Sequence, residues 1–117
     1  MEFEDLNSSK KQESSSDIFK RVEPARKRQL NRFHPLKNGV EWNSQMSHRM
    51  LRKFCVLGNK EIALLKQAME TFSFSARAHD KILKVARTIA DLAESEQIRV
   101  EHMAEAIQYR NLDRNLR

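Results

Sequence analysis

The sequence predicts an all-α fold, a helical bundle of four to five helices, on three observations. Its 117 residues include only two glycines and two prolines, so the punctuation that many short strands need is scarce. Apolar residues recur at steps of three and four in several stretches, the period of an amphipathic helix rather than of a strand. The stretches between them are short, as in an orthogonal or up-and-down bundle. With 39% apolar and 32% charged residues, the chain is long enough for one domain around one core.

Residues 1–13 are polar, rich in Ser, Lys and acidic side chains, and too poor in apolar groups to fold alone; they read as a flexible linker or tail, with the helical domain spanning 14–117. Ser14 and Asp17 have the spacing of a capping box. The helix they open should turn Ile18, Val22, Ala25 and Leu30 inward. Pro24 removes one hydrogen bond and crowds the preceding turn, which predicts a kink or a split into two shorter helices. His34 to Met46 reads as a loop, with turns at Pro35 and Asn38-Gly39 and with Leu36, Val40 and Trp42 as anchors. Ser47 caps a short helix reaching about Cys55, with Met50, Leu51 and Phe54 inward.

After Gly58-Asn59 resets the chain, Ile62, Leu65, Met69 and Phe72, with Ala68 beside them, mark a helix that ends just before Ser73. Ser75 caps the next helix, and Phe74 before it is placed to act as a hydrophobic staple. Its core face is Ile82, Val85, Ile89 and Leu92, interleaved with Ala78, Ala86, Ala90 and Ala93. The opposite face, Arg77, Asp80, Lys81, Lys84, Arg87 and Asp91, reads as solvated. A turn over Glu94 to Arg99 leads into a last helix opened by Val100, with Met103, Ala104 and Ile107 as its apolar face and Tyr109 at its end.

Arg77 is the first candidate for function. A helix N-terminus presents partial positive charge and unpaired N–H groups, so a cation in the first turn is disfavoured until an anion meets it. Charge is the second. The chain is +6 overall, yet between residues 20 and 53 ten basic side chains face only Glu23 and Glu41, a local net of +8. Arg26, Lys27, Arg28, Arg32, Arg49, Arg52 and Lys53 form a candidate contact patch for nucleic acid, nucleotide phosphates or an acidic subunit; a solvated helix face would look the same.

Other chemistry is excluded or disfavoured. Gly39 and Gly58 stand in unrelated contexts, so there is no phosphate-binding loop and the chain cannot grip a nucleotide alone. His34, His48, His79 and His102 lie on four segments without the i, i+4 spacing of a helical zinc pair, and one cysteine offers no thiolate cluster, so no metal site is expected. Cys55 reads as a small apolar filler, and the lack of a disulfide fits a reducing, cytoplasmic compartment. Met46, Met50, Met69 and Met103 read as core filler. No Ser/His/Asp motif stands out. No apolar run approaches the length of a bilayer span, and the acidic start Met1-Glu2-Phe3-Glu4-Asp5 is unlike a secretory signal, so no membrane partner is expected.

Two segments, Phe74–Leu92 with its Ser75-Ala76-Arg77 start and Ile98–Arg110, resemble the C-terminal domain of magnesium-chelatase-like AAA+ ATPases, in particular the bacterial YifB/ComM branch. Glu13–Ile18, Asn43–Ser47 and Leu64–Glu70 resemble that branch in the same order, so the likeness covers about residues 13 to 114. The resemblance implies an AAA+ lid-type bundle behind a P-loop ATPase core. It implies that Arg77, supported by Ser75, is the sensor-2 residue that reaches the γ-phosphate of ATP, held with Mg2+ by the full-length protein. The implied partners are the ATPase core of the same polypeptide, neighbouring subunits of a hexameric ring, and DNA through the whole assembly, since the ComM type resembles a branch-migration helicase. The phosphate loop, metal-binding acidic motif and arginine finger are missing here, so the chain reads as an excised domain that does not hydrolyse ATP alone. Val100 stands where the family often has proline, and Pro24 is unusual for it. Two other readings stay open: a free-standing basic nucleic-acid-binding domain, and a histone-like pairing fold built on the last two helices.

Overall fold

The computed structural model describes residues 15–115, with side chains over 22–114. The tail at 1–13, the Ser14/Asp17 cap and the inward placement of Ile18 fall outside the described part. Five helices follow one another in it: α1 (Ser15–Phe33), α2 (His48–Phe54), α3 (Asn59–Phe72), α4 (Ala76–Leu92) and α5 (Val100–Asn115). Two 3₁₀ turns, His34–Leu36 and Asn43–Gln45, stand between α1 and α2. Among the described residues there is no strand, and the architecture is the predicted all-α bundle. Helix α4 is its centre, in contact with α1, α2, α5 and the second 3₁₀ turn, while α3 packs on α5.

Helix α1 runs unbroken through Pro24, so the split into two shorter helices does not occur. Pro24 deletes one N–H bond, whereas Ala25, Gln29 and Phe33, at steps of four, are all buried and hold that face of α1 in the interior. Tertiary packing of one helical face outweighs a single lost bond.

The predicted caps of α2 and α4 are in place. Ser47 Oγ accepts from Met50 N–H at 3.2 Å, and Ser75 Oγ accepts from Ala78 N–H at 3.2 Å. Between α3 and α4 the chain reverses at Ser73, in the left-handed region with φ 52°. Gly39, at φ +85°, makes the predicted Asn38-Gly39 turn, where a side chain would be strained. One cap was not foreseen: His102 Nδ1 accepts from Arg99 N–H at 2.9 Å, closing the entry to α5.

Phe33, Leu51, Ile82 and Met103 are fully enclosed in the core, and Phe33 meets Phe54 edge-on at 5.3 Å. Several expected core positions are displaced outward. Val22, Leu36, Ile62 and Leu92 are exposed, as are Ala93 and Ala104. Each is near the end of its helix or on the edge of its apolar stripe, where helical spacing alone does not say how far the neighbouring helix reaches. Tyr109 does not end α5; it is 56% exposed in the middle of a helix that continues to Asn115.

Candidate functional site

Arg77 occupies the second position of α4, behind the Ser75 cap. Its side chain is exposed, and it makes no hydrogen bond or ion pair among the described residues. The cap uses the N–H of Ala78, which leaves the N–H groups of Ala76 and Arg77 at the open end of the helix, without an intrahelical acceptor. The corner that presents them is firm. Phe74 is buried and lies 5.4 Å from Phe72, and Arg114 stacks over the Phe74 ring while donating to the Phe72 carbonyl.

A carboxylate one turn away does not neutralise Arg77. Asp80 is held by two histidines: His48 Nδ1, from α2, lies 3.0 Å from Oδ2 and His79 Nδ1 lies 3.2 Å from Oδ1. Burial pushes the Asp80 carboxyl up, but the hydrogen bonds from His48 and His79 and their charge more than offset it, so it sits below its ordinary value. Arg77, His48, His79 and Asp80, with Met69 and Ala76, line one shallow depression. Sequence reasoning assigned no role to this histidine pair. The signal was weak, because His48 and Asp80 are 32 residues apart.

At the other end of α4 the charged residues are interior, and this corrects the expected solvated face. Asp91 is 0% exposed and Arg87 is 4% exposed. Arg32 of α1 grips Asp91 with two parallel bonds, Nη2 to Oδ1 at 2.7 Å and Nη1 to Oδ2 at 2.9 Å, the bidentate geometry that suits guanidinium and carboxylate. Asn43 Nδ2 donates to Asp91 Oδ2 at 2.9 Å, and Arg87 Nη2 lies 3.3 Å from Oδ1. Arg87 also donates to the carbonyls of Ser95 and Glu96, fixing the turn into α5. Desolvation lowers the Arg87 pKa, against the pull of Asp91.

The predicted basic patch is therefore divided. Arg32 is engaged by Asp91 and Asn43, Arg28 donates to the Glu94 carbonyl, and Arg26 stacks over Trp42 at 5.4 Å. Lys27, Arg49, Arg52 and Lys53 are exposed, the last over the Phe54 ring. Cys55 is buried, and desolvation pushes its thiol up to about 11, as befits a packing residue rather than a nucleophile. Among the described residues no group of three His, Cys, Asp or Glu side chains could hold a metal ion, and no helix is long and apolar enough to cross a membrane.

The chain is similar to several bacterial proteins. The chain is 39% identical over 106 residues to YifB of Salmonella typhimurium, covering 91% of this chain and 20% of that protein. With YifB of Escherichia coli it shares 38% over 104 residues, covering 89% and 19% respectively. With the competence protein ComM of Haemophilus influenzae it shares 33% over 110 residues, covering 94% and 20%. The chain thus spans about a fifth of the length of these relatives. No solved structure matches it. The family described as magnesium chelatase, subunit ChlI C-terminal, matches residues 12–110, nearly the whole of the helical bundle with its Ser75-capped α4, and the chain belongs to that family.

Proposed function

We propose that this bundle is the helical lid of a magnesium-chelatase-like AAA+ ATPase and that Arg77 is its sensor-2 residue, directed at the terminal phosphate of a nucleotide held by another part of the same polypeptide. The observation that carries the reading is Arg77 itself, exposed, without a partner among the described residues, and rooted beside unpaired N–H groups at the start of α4. A guanidinium offers paired planar donors, and the helix end adds two more in the same direction, a set that fits the oxygens of one phosphate. On this reading ATP and Mg2+ are held by the ATPase core, and the bundle supplies only the Arg77 contact. Ser75 fixes where the helix starts and so where Arg77 points. The well-connected bundle then moves as one body when the Arg77 contact forms or is released, so a local charge contact becomes a displacement of the whole domain relative to the core and to neighbouring subunits of the ring.

The test is ATP turnover by the polypeptide that joins this domain to its ATPase core. Arg77→Ala is expected to lower turnover by roughly 10- to 1000-fold, the range for losing one donor to a developing charge. The melting temperature of the bundle should stay put, since the side chain holds nothing in the fold. Unchanged turnover removes the sensor assignment.

The reading as a free-standing DNA-binding domain built on residues 20–53 has less support, because Arg26, Arg28 and Arg32 are engaged within the fold. The histone-like reading needs a second chain to close the core beneath the last two helices. Here α1 packs on α4 and α3 packs on α5 within one chain.

A further inference from the structure

Residues of α4 and α5, with Ser44, line a cleft of about 370 Å³, within the size range of small-molecule sites. Its apolar floor is Ile82 and Val85, and Lys81, Lys84, Arg110 and Tyr109 line its walls. Lys81 is exposed and Lys84 half-buried, its ammonium donating to the Ser44 carbonyl at 3.3 Å. The counter-charge on the lining is Asp113, 3.4 Å from Arg110 Nη1. Three cations against one carboxylate leave the cleft positive.

Two features are not explained by packing. Tyr109 is 56% exposed on the rim of this charged cleft, with Leu112, also 56% exposed, almost one turn further on. Arg110 Nε is shielded from solvent and has no hydrogen-bond acceptor among the described residues, so the guanidinium at the cleft wall is only partly satisfied. Helical spacing adds a third. Arg77, Lys81 and Lys84 follow at steps of four and three, so they lie on one side of α4 and extend a basic stripe along it into the cleft.

We propose that the α4–α5 cleft holds single-stranded nucleic acid, with a base stacked on Tyr109 and the flanking phosphates on Lys81, Lys84 and Arg110. An exposed aromatic ring among cations is the arrangement that grips single strands without reading sequence, because every base has a face to stack and every nucleotide a phosphate. Duplex does not suit it. Paired bases keep their faces covered, so they cannot stack on the exposed Tyr109 ring. The site is separate from Arg77's proposed contact with nucleotide and from the patch over residues 20–53, and it stands whether or not Arg77 is a sensor.

The experiment uses the full 117-residue chain, a fluorescein-labelled oligothymidylate read by anisotropy across a salt series, and a duplex of equal length. Binding of the single strand should weaken as salt rises, with a log–log slope of about −2 for three phosphate contacts, and should exceed binding of the duplex. Tyr109→Ala should weaken it about 5- to 100-fold while Tyr109→Phe retains it, the pattern of stacking rather than of the hydroxyl. Lys81→Ala with Lys84→Ala should flatten the salt slope. Tyr109 is exposed, so a matching thermal melt will show each variant folded. The inference is overturned if the single strand does not bind, if duplex binds better, or if Tyr109→Ala is silent while Arg49→Ala with Arg52→Ala abolishes binding and so moves the contact to α2.

Discussion

Helix α4 carries two arginines that the sequence presents alike, and its two ends treat them oppositely. At the C-terminal end Arg87 is enclosed, donates to two backbone carbonyls and shares Asp91 with Arg32. At the N-terminal end Arg77 is exposed, and the nearby carboxylate of Asp80 is taken by His48 and His79. One end joins α1, the second 3₁₀ turn and the α4–α5 connection into a single unit. The other end is held in place by its surroundings while its charge stays available. The same residue type is structural where its counter-charge comes from within the chain, and a candidate for function where it does not.

Breaking the closed end should have the largest effect. Asp91→Ala leaves Arg32 and Arg87 without their carboxylate in the interior, and removing one partner of a buried ionic cluster costs about 3–5 kcal/mol. The urea midpoint should fall accordingly, with α1 loosened from α4. A loss below about 1 kcal/mol would show that apolar packing, not the ionic cluster, sets the position of α1 and would erase the contrast between the two ends. Because the desolvation of three charges opposes their attraction, replacing Arg32, Asp91 and Arg87 together by apolar residues should cost less than Asp91→Ala alone.

The contrast also marks how far the sequence could be read. Helices α2, α3 and α4, the Ser47 and Ser75 caps and the Asn38-Gly39 turn were legible because each depends on residues within one or two turns of each other. Arg77 was legible for the same reason, as a cation beside a local cap. Asp91 and Arg87 were assigned to solvent because face arithmetic on α4 ignores what arrives from outside it. The partner that buries them, Arg32, is 59 residues away from Asp91, and Asn43, 48 residues away, comes from a stretch read as loop. Pro24 misled in the opposite direction, since a local rule for breaking helices was overruled by burial of Ala25, Gln29 and Phe33. Tyr109 was read as the end of the last helix, although α5 continues to Asn115.

At the open end the cap is the next feature to perturb. Ser75→Ala removes the acceptor for Ala78 N–H and should destabilise the bundle by about 1 kcal/mol, whereas Ser75→Gly should cost only a few tenths. In the ATPase-linked protein Ser75→Ala should also reduce turnover by less than Arg77→Ala does, since it loosens the aim of the guanidinium without removing it. Equal losses in turnover for the two variants would mean that Ser75 acts on the nucleotide directly.

The smallest expected effect concerns Asp80, which links α2 to α4 through His48 and stays off Arg77. Its carboxyl is held below the ordinary value in the folded state, so folding favours the ionised form. The resulting stability is complete above the unfolded carboxylate's value near about 4 and is lost as pH falls through the lower folded one. With His48 61% exposed, the gain stays below about 1 kcal/mol. Asp80→Asn should therefore lower the melting temperature slightly at pH 7, and the gap to the parent should close on acidification below pH 4. A gap of equal size at both extremes would assign the effect to side-chain packing, leaving the two-histidine clasp without an electrostatic role. Closure of the gap at low pH would show that the carboxylate next to Arg77 is already committed to α2, the condition that leaves Arg77 open to an anion from outside the bundle.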